Sequence, residues 1–103
     1  MADNTLKMVE GAALNARQKK DLLHRLARIE GQLRGVQKLI AQVALPADVD
    51  AVAQQMAAAR KALDRSFVQL LTSSILNQCG NAPDLAAAQA SASALAAMLD
   101  KFA

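Results

Sequence analysis

The chain has 103 residues, about the length of one domain, and 53% of them are apolar although only 2% are aromatic. Its 24 alanines favour helices, whereas strands prefer the β-branched and aromatic side chains that are scarce here, so a β-sandwich or barrel is excluded. The formal net charge is +3, and residues 1–40 carry eight Lys or Arg against four Asp or Glu, while the remainder carries four against five.

Residues 1–14 have mixed polarity without a sustained period, which predicts a flexible N-terminal arm ahead of a single helical domain over residues 15–103. Helix 1 is predicted to begin near Asn15, a favourable N-cap residue, and to end before Pro46. Its apolar positions are spaced alternately by four and three residues, as in a heptad repeat. They are Leu22, Leu26, Ile29, Leu33, Val36, Ile40 and Val43.

Helix 2 is predicted to start at a capping Asp48 and to run to about Cys79, where Gly80 provides a left-handed C-terminal stop. Its heptad positions are Val49, Val52, Met56, Ala59, Leu63, Ser66 and Leu70. Helix 3 is predicted to start at a capping Asp84 and to reach Phe102, also with heptad spacing. The alternative for helix 3, which is rich in Ala and Ser, is a frayed tail. An alanine-rich core buries little area per residue, so we expect other copies of the chain to complete it.

Basic side chains of helix 1 lie opposite its apolar positions. At 100° per residue, Arg17, Lys20, His24 and Arg28 share a face that Gly31 and Gly35 continue, which permits close approach of a partner. Such spacing suits the phosphates of a nucleic acid, although a solvated basic face is the alternative. The scarcity of aromatic residues disfavours base-stacking recognition of single strands and therefore favours duplex DNA.

No pattern typical of an enzyme is present: there is one His, one Cys and no glycine-rich phosphate loop. Cys79 is interpreted as a small apolar residue, with a sensing role as the alternative. One cysteine and no signal-peptide pattern predict a reduced, cytoplasmic protein. No apolar run approaches the roughly 18 residues that cross a bilayer, so we expect no membrane partner.

Two segments resemble the CsoR/RcnR/FrmR family of bacterial transcriptional repressors: LLHRLARIEGQLRGVQKLI at 22–40 and QMAAARKALDRSFVQLL at 55–71. The resemblance covers about residues 16–79. It implies an all-α protomer, with helices 1 and 2 in a long antiparallel hairpin plus a short helix 3, that assembles as a four-helix-bundle dimer and a dimer-of-dimers homotetramer. It also implies binding to duplex operator DNA without a helix-turn-helix.

By motif match, the DNA-binding roles of that family fall on Arg28 and Arg65. Charge and position add further candidate phosphate contacts at Arg17, Lys20, Arg25, Arg34 and Lys61.

The sequence departs from the family at the sensing site. Metal-sensing members have Cys, His and Cys where this chain has Val49, Ser74 and Gln78, none of which binds Cu(I) well. We therefore predict no metal site. The cofactor is unknown, and the effector-pocket positions are Val49, Ser74, Gln78 and the adjacent Cys79.

Three interpretations remain open. The chain is a repressor released from its operator by a small-molecule or thiol-reactive effector, an architectural DNA-binding protein without regulation, or an oligomeric protein-interaction scaffold. The Arg28 and Arg65 matches favour the first two.

Overall fold

The computed structural model describes residues 13–102, which form three α-helices and no strand. Helix α1 spans Ala16–Ala41, α2 spans Pro46–Gly80 and α3 spans Leu85–Phe102. The all-α protomer with two long helices and one shorter helix is confirmed. Most of the predicted N-terminal arm, residues 1–12, lies outside the described residues. No described helix is long and apolar enough to cross a membrane.

The starts of α1 and α3 are capped as predicted. The backbone N–H of Gln18 donates to Oδ1 of Asn15 at 2.8 Å, and the backbone N–H of Asn15 donates to Oε1 of Gln18 at 2.9 Å. This reciprocal pair is a capping box. At α3, the backbone N–H of Ala87 donates to Oδ1 of Asp84 at 2.8 Å.

Two predictions about the ends of α2 are wrong. The helix begins at Pro46, so Asp48 lies inside its first turn rather than at the N-cap. Its carboxylate reaches back to accept from the backbone N–H groups of Ala44 and Leu45, at 3.0 and 2.9 Å. Gly80 is the last residue of the helix and does not adopt a left-handed conformation. The backbone N–H of Asn81 continues the helical pattern by donating to the carbonyl of Asn77.

The chain forms two compact units, and α1 and α2 each contribute to both. The hairpin unit is Asp21–Phe67, in which α1 and α2 are joined by a short loop. The terminal unit, in its described part, consists of residues 13–20 and 68–102.

In the hairpin unit, the buried residues recur at every seventh position. They are Leu22, Ile29 and Val36 on α1, and Val52, Ala59 and Ser66 on α2. The other half of each heptad pattern remains open to solvent: Leu26, Leu33 and Ile40 are 39%, 49% and 53% exposed, and Val49, Met56 and Leu63 are about half exposed. We name these six residues the apolar row. One protomer therefore buries only half of its heptad pattern.

The terminal unit contains the second part of the core. Leu71 and Ser74 of α2 and Leu95 of α3 are buried. The side-chain amides of Gln18 and Asn77 hydrogen-bond to each other and so connect the start of α1 to the end of α2.

Candidate nucleic-acid interface

Three of the predicted DNA-binding residues line one cleft of the hairpin unit. Arg25 and Arg28 come from α1 and Arg65 from α2, and the cleft measures about 170 Å³. All three arginines are exposed, and none forms an ion pair with another residue within 13–102. The cleft therefore concentrates positive charge, and no carboxylate within residues 13–102 forms an ion pair with its arginines.

Helical periodicity explains why these arginines converge. On α1, Arg25 and Arg28 lie to one side of the buried row, and on α2 Arg65 lies to the same side of Ser66. The apolar row flanks the buried residues on the other side of each helix. Because α1 and α2 form a hairpin, the hairpin unit has a basic edge and, opposite to it, an apolar edge.

The structure does not bring every predicted contact into this cleft. Lys61 is exposed one turn before Arg65 on α2. Arg34 is exposed nine residues after Arg25, which corresponds to half a rotation about α1, so it points away from the cleft. Arg17 and Lys20 are exposed in the first turns of α1, within the terminal unit.

Two polar residues of the cleft are not predicted from the charge pattern of the sequence. Gln32 lines it one turn after Arg28, and Ser66 lines it beside Arg65. The spacing of Arg25, Arg28 and Gln32 along one side of α1 is a signal that identifies Gln32. The buried Ser66 hydroxyl donates to the carbonyl of Ala62 at 3.1 Å.

The predicted effector positions fall in different places. Nε2 of Gln78 donates to Oγ of Ser74 at 2.8 Å, and Ser74 is buried. Sγ of the half-buried Cys79 lies 3.8 Å from the carbonyl oxygen of Ala88 on α3. Val49 belongs to the hairpin unit and is 55% exposed. Ser74 and Gln78 are thus hydrogen-bonded to each other, whereas the side chain of Cys79 faces α3.

The residues at the three sensing positions of the family, Val49, Ser74 and Gln78, do not fit a metal ion. Within the described part of the chain, no three His, Cys, Asp or Glu side chains come together in a way that could hold one. The hydroxyl of Ser74 and the amide of Gln78 are hard, neutral donors that hydrogen-bond to each other, whereas Cu(I) requires thiolate or imidazole ligands and Ni(II) is suited by imidazole.

Comparison with known protein families gives a match to this chain. The model of the metal-sensitive transcriptional repressor family matches residues 18–102, which include all three helices almost entirely. Searches of the curated proteins and of the solved structures found no match.

Proposed function

The chain belongs to the family of metal-sensitive transcriptional repressors, and we propose that it represses transcription by binding duplex operator DNA through the basic edge of the hairpin unit. The observation that supports this most strongly is the cleft in which Arg25, Arg28 and Arg65 converge. Guanidinium groups bind phosphate oxygens through paired hydrogen bonds, and counterion release from DNA favours such contacts. The exposed Lys61 extends the same edge.

The remaining basic residues extend the proposed interface beyond the cleft. Arg17 and Lys20 are additional phosphate contacts at the start of α1. Arg34 contacts DNA only if the outer side of α1 faces the DNA in the assembled protein. The sequence preference then arises from base contacts or from DNA shape, since phosphate contacts by themselves set affinity and register.

A homotetramer is the proposed functional assembly. In a single protomer the apolar row stays about half exposed over both helices, which is an unusually continuous apolar surface for a monomer. Pairing two hairpin units along these rows completes both heptad patterns in a four-helix bundle. Two such dimers then form the tetramer that the resemblance implies.

Release from the operator is proposed to depend on an effector that is not a metal ion bound by Val49, Ser74 and Gln78. A small molecule or a thiol-reactive compound acting near Gln78 and Cys79 is the preferred class, in a protein of the cytoplasm. An architectural DNA-binding protein or an interaction scaffold without an effector is the alternative, and the half-exposed apolar row is compatible with both.

Titration of labelled duplex DNA from upstream of the gene tests the proposal, using fluorescence anisotropy at several salt concentrations and a shuffled duplex as control. We expect tighter binding to the upstream duplex and a linear decrease of log affinity with log salt concentration. Equal, salt-independent binding to both duplexes contradicts the proposal. Addition of Cu(I) or Ni(II) is expected to leave the complex intact, and metal-dependent release contradicts the metal-independent effector.

A further inference from the structure

A groove of about 380 Å³ lies in the terminal unit, where the end of α2 meets the start of α3. Most of its surface is apolar, and its apolar lining residues are Ala13, Ala82, Pro83 and Ala87. Three neutral polar residues complete the lining: Gln78, Asn81 and Ser91. The volume falls in the usual range of pockets for small molecules, which combine apolar walls with a few polar groups.

The polar groups of this groove retain hydrogen-bonding capacity. Gln78 uses its Nε2 on Ser74, and its carbonyl Oε1 has no partner within residues 13–102. The side-chain amide of Asn81 and the hydroxyl of Ser91 likewise make no hydrogen bond to another described residue. Together they offer one acceptor, one amide and one hydroxyl to an occupant.

No charged residue lines the groove. The carboxylate nearest in sequence, on Asp84, already accepts from the backbone N–H of Ala87 as the cap of α3. A charged ligand would lose its hydration in such a groove without gaining a partner of opposite charge. A neutral ligand instead exchanges its hydrogen bonds to water for hydrogen bonds to the amide and hydroxyl groups of the groove.

We propose that this groove binds a small uncharged molecule with an apolar body and one or two hydrogen-bonding groups. The site is distinct from the Cys/His/Cys sensing positions because it lies toward α3 and does not include Val49 or Ser74. Of those positions it shares only Gln78.

The groove is connected to the start of α1 within the same unit. Ala13 lines it, and the carbonyl of Ala13 accepts a hydrogen bond of 3.3 Å from Nδ2 of Asn77. Asn77 also contacts Gln18, which forms the capping box of α1 with Asn15. An occupant that displaces Ala13 therefore disturbs the first two turns of α1, which carry Arg17 and Lys20. This regulatory step rests on the proposed function, whereas binding in the groove does not.

Benzamide is a suitable neutral probe, and benzoate is its charged counterpart of nearly equal shape. Binding is followed by the backbone amide signals of Asn81, Ala87 and Ser91 in ¹H–¹⁵N NMR spectra of the full chain. We expect benzamide to shift these signals saturably and benzoate to shift them much less. The absence of a saturable shift with benzamide, or equal shifts with benzoate, overturns the proposal.

Two alanine-to-leucine variants of α3 locate the site. Ala87→Leu places a larger side chain in the groove and narrows it, whereas Ala90→Leu adds the same side chain at an exposed position outside its lining. We expect Ala87→Leu to weaken benzamide binding at least about tenfold and Ala90→Leu to retain it. Circular dichroism verifies that both variants are folded. Equal binding to both variants overturns the assignment of the groove.

DNA binding is measured separately so that the two proposals can fail independently. In wild-type protein and in Ala90→Leu, benzamide is expected to weaken binding to the upstream duplex, and in Ala87→Leu it is not. If benzamide binds the groove but leaves DNA affinity unchanged, the regulatory step is wrong. If DNA does not bind in the absence of benzamide, the proposed function is wrong, but the NMR result still decides whether the groove binds a neutral molecule.

Discussion

Arg28 of α1 and Arg65 of α2 line the same cleft of the hairpin unit, although they belong to different helices and to different sequence motifs. The antiparallel course of the hairpin places the same side of both helices at one edge. A basic cleft therefore arises from two helices that each contribute only part of its charge.

Substitution of Arg28 or Arg65 by Ala is expected to weaken binding to the upstream duplex by about tenfold to a hundredfold, because hydrogen bonds to a charged group contribute about 1.5–3 kcal/mol. The slope of log affinity against log salt should also decrease by about one. Anisotropy titrations at three or more salt concentrations measure both effects. Arg60→Ala is the matched control, since Arg60 is exposed on α2 but does not line the cleft. Equal losses in all three variants argue against the cleft as the contact.

Gly31 and Gly35 lie in the interior of α1, and a Cβ atom added to either meets no atom within 4 Å. Replacing either by Ala should therefore stabilise the protein by about 0.5–1 kcal/mol, since Gly is unfavourable inside a helix. We expect each variant also to bind the upstream duplex more weakly, because the methyl group separates DNA from the helix backbone. Thermal denaturation and anisotropy measure the two effects. A stabilised variant with unchanged DNA affinity shows that these glycines do not lie at the interface.

Leu63 is half exposed within the apolar row of α2. Leu63→Glu should shift the protein toward monomers because it places a charge in the proposed dimer interface, where burial without a partner is unfavourable. Light scattering at micromolar concentration measures the molar mass. Ala57→Glu adds the same charge to an exposed position on the outer side of α2 and should leave the mass unchanged. A wild-type protein that is already a stable monomer contradicts the proposed tetramer.

The hydrogen bonds of the Asp48 carboxylate should make the stability of the fold depend on pH in the acid range. The backbone N–H groups of Leu45 and Ala44 donate to its carboxylate and lower its pKa below the ordinary 3.8. Because the folded-state pKa is the lower one, this stabilisation is present above pH 3.8 and is lost as the pH falls through the folded-state value.

Asp48→Ala should accordingly have a lower Tm than the wild type at neutral pH, and the difference should shrink below pH 3.8. Thermal denaturation followed by circular dichroism over a pH series measures it. Asp50→Ala is the control, since Asp50 bonds to the Gln54 side chain rather than to the backbone. A difference in Tm that is independent of pH refutes the role of the Asp48 carboxylate.

Local signals in the sequence were sufficient to predict the three helices and the N-cap residues of two of them, α1 and α3. Asn15 and Asp84 are caps because their side chains act on backbone groups only a few residues away. Asp48 was misplaced because an acidic side chain can cap from the N-cap or reach back from the third helical residue, and Pro46 at the first position decides between them.

The sequence by itself determined the helical class, the heptad pattern, the family motifs and the absence of Cys and His from the family's sensing positions. Those properties depend on residue type and on spacing along one helix. Only the tertiary structure decided which half of the heptad pattern one protomer buries and that Arg25, Arg28 and Arg65 share a cleft. It also decided that Gln78 of α2 lines a groove together with Ala87 and Ser91 of α3. Such relationships join residues on different helices, and their geometry is set by how the helices pack rather than by the period of either one.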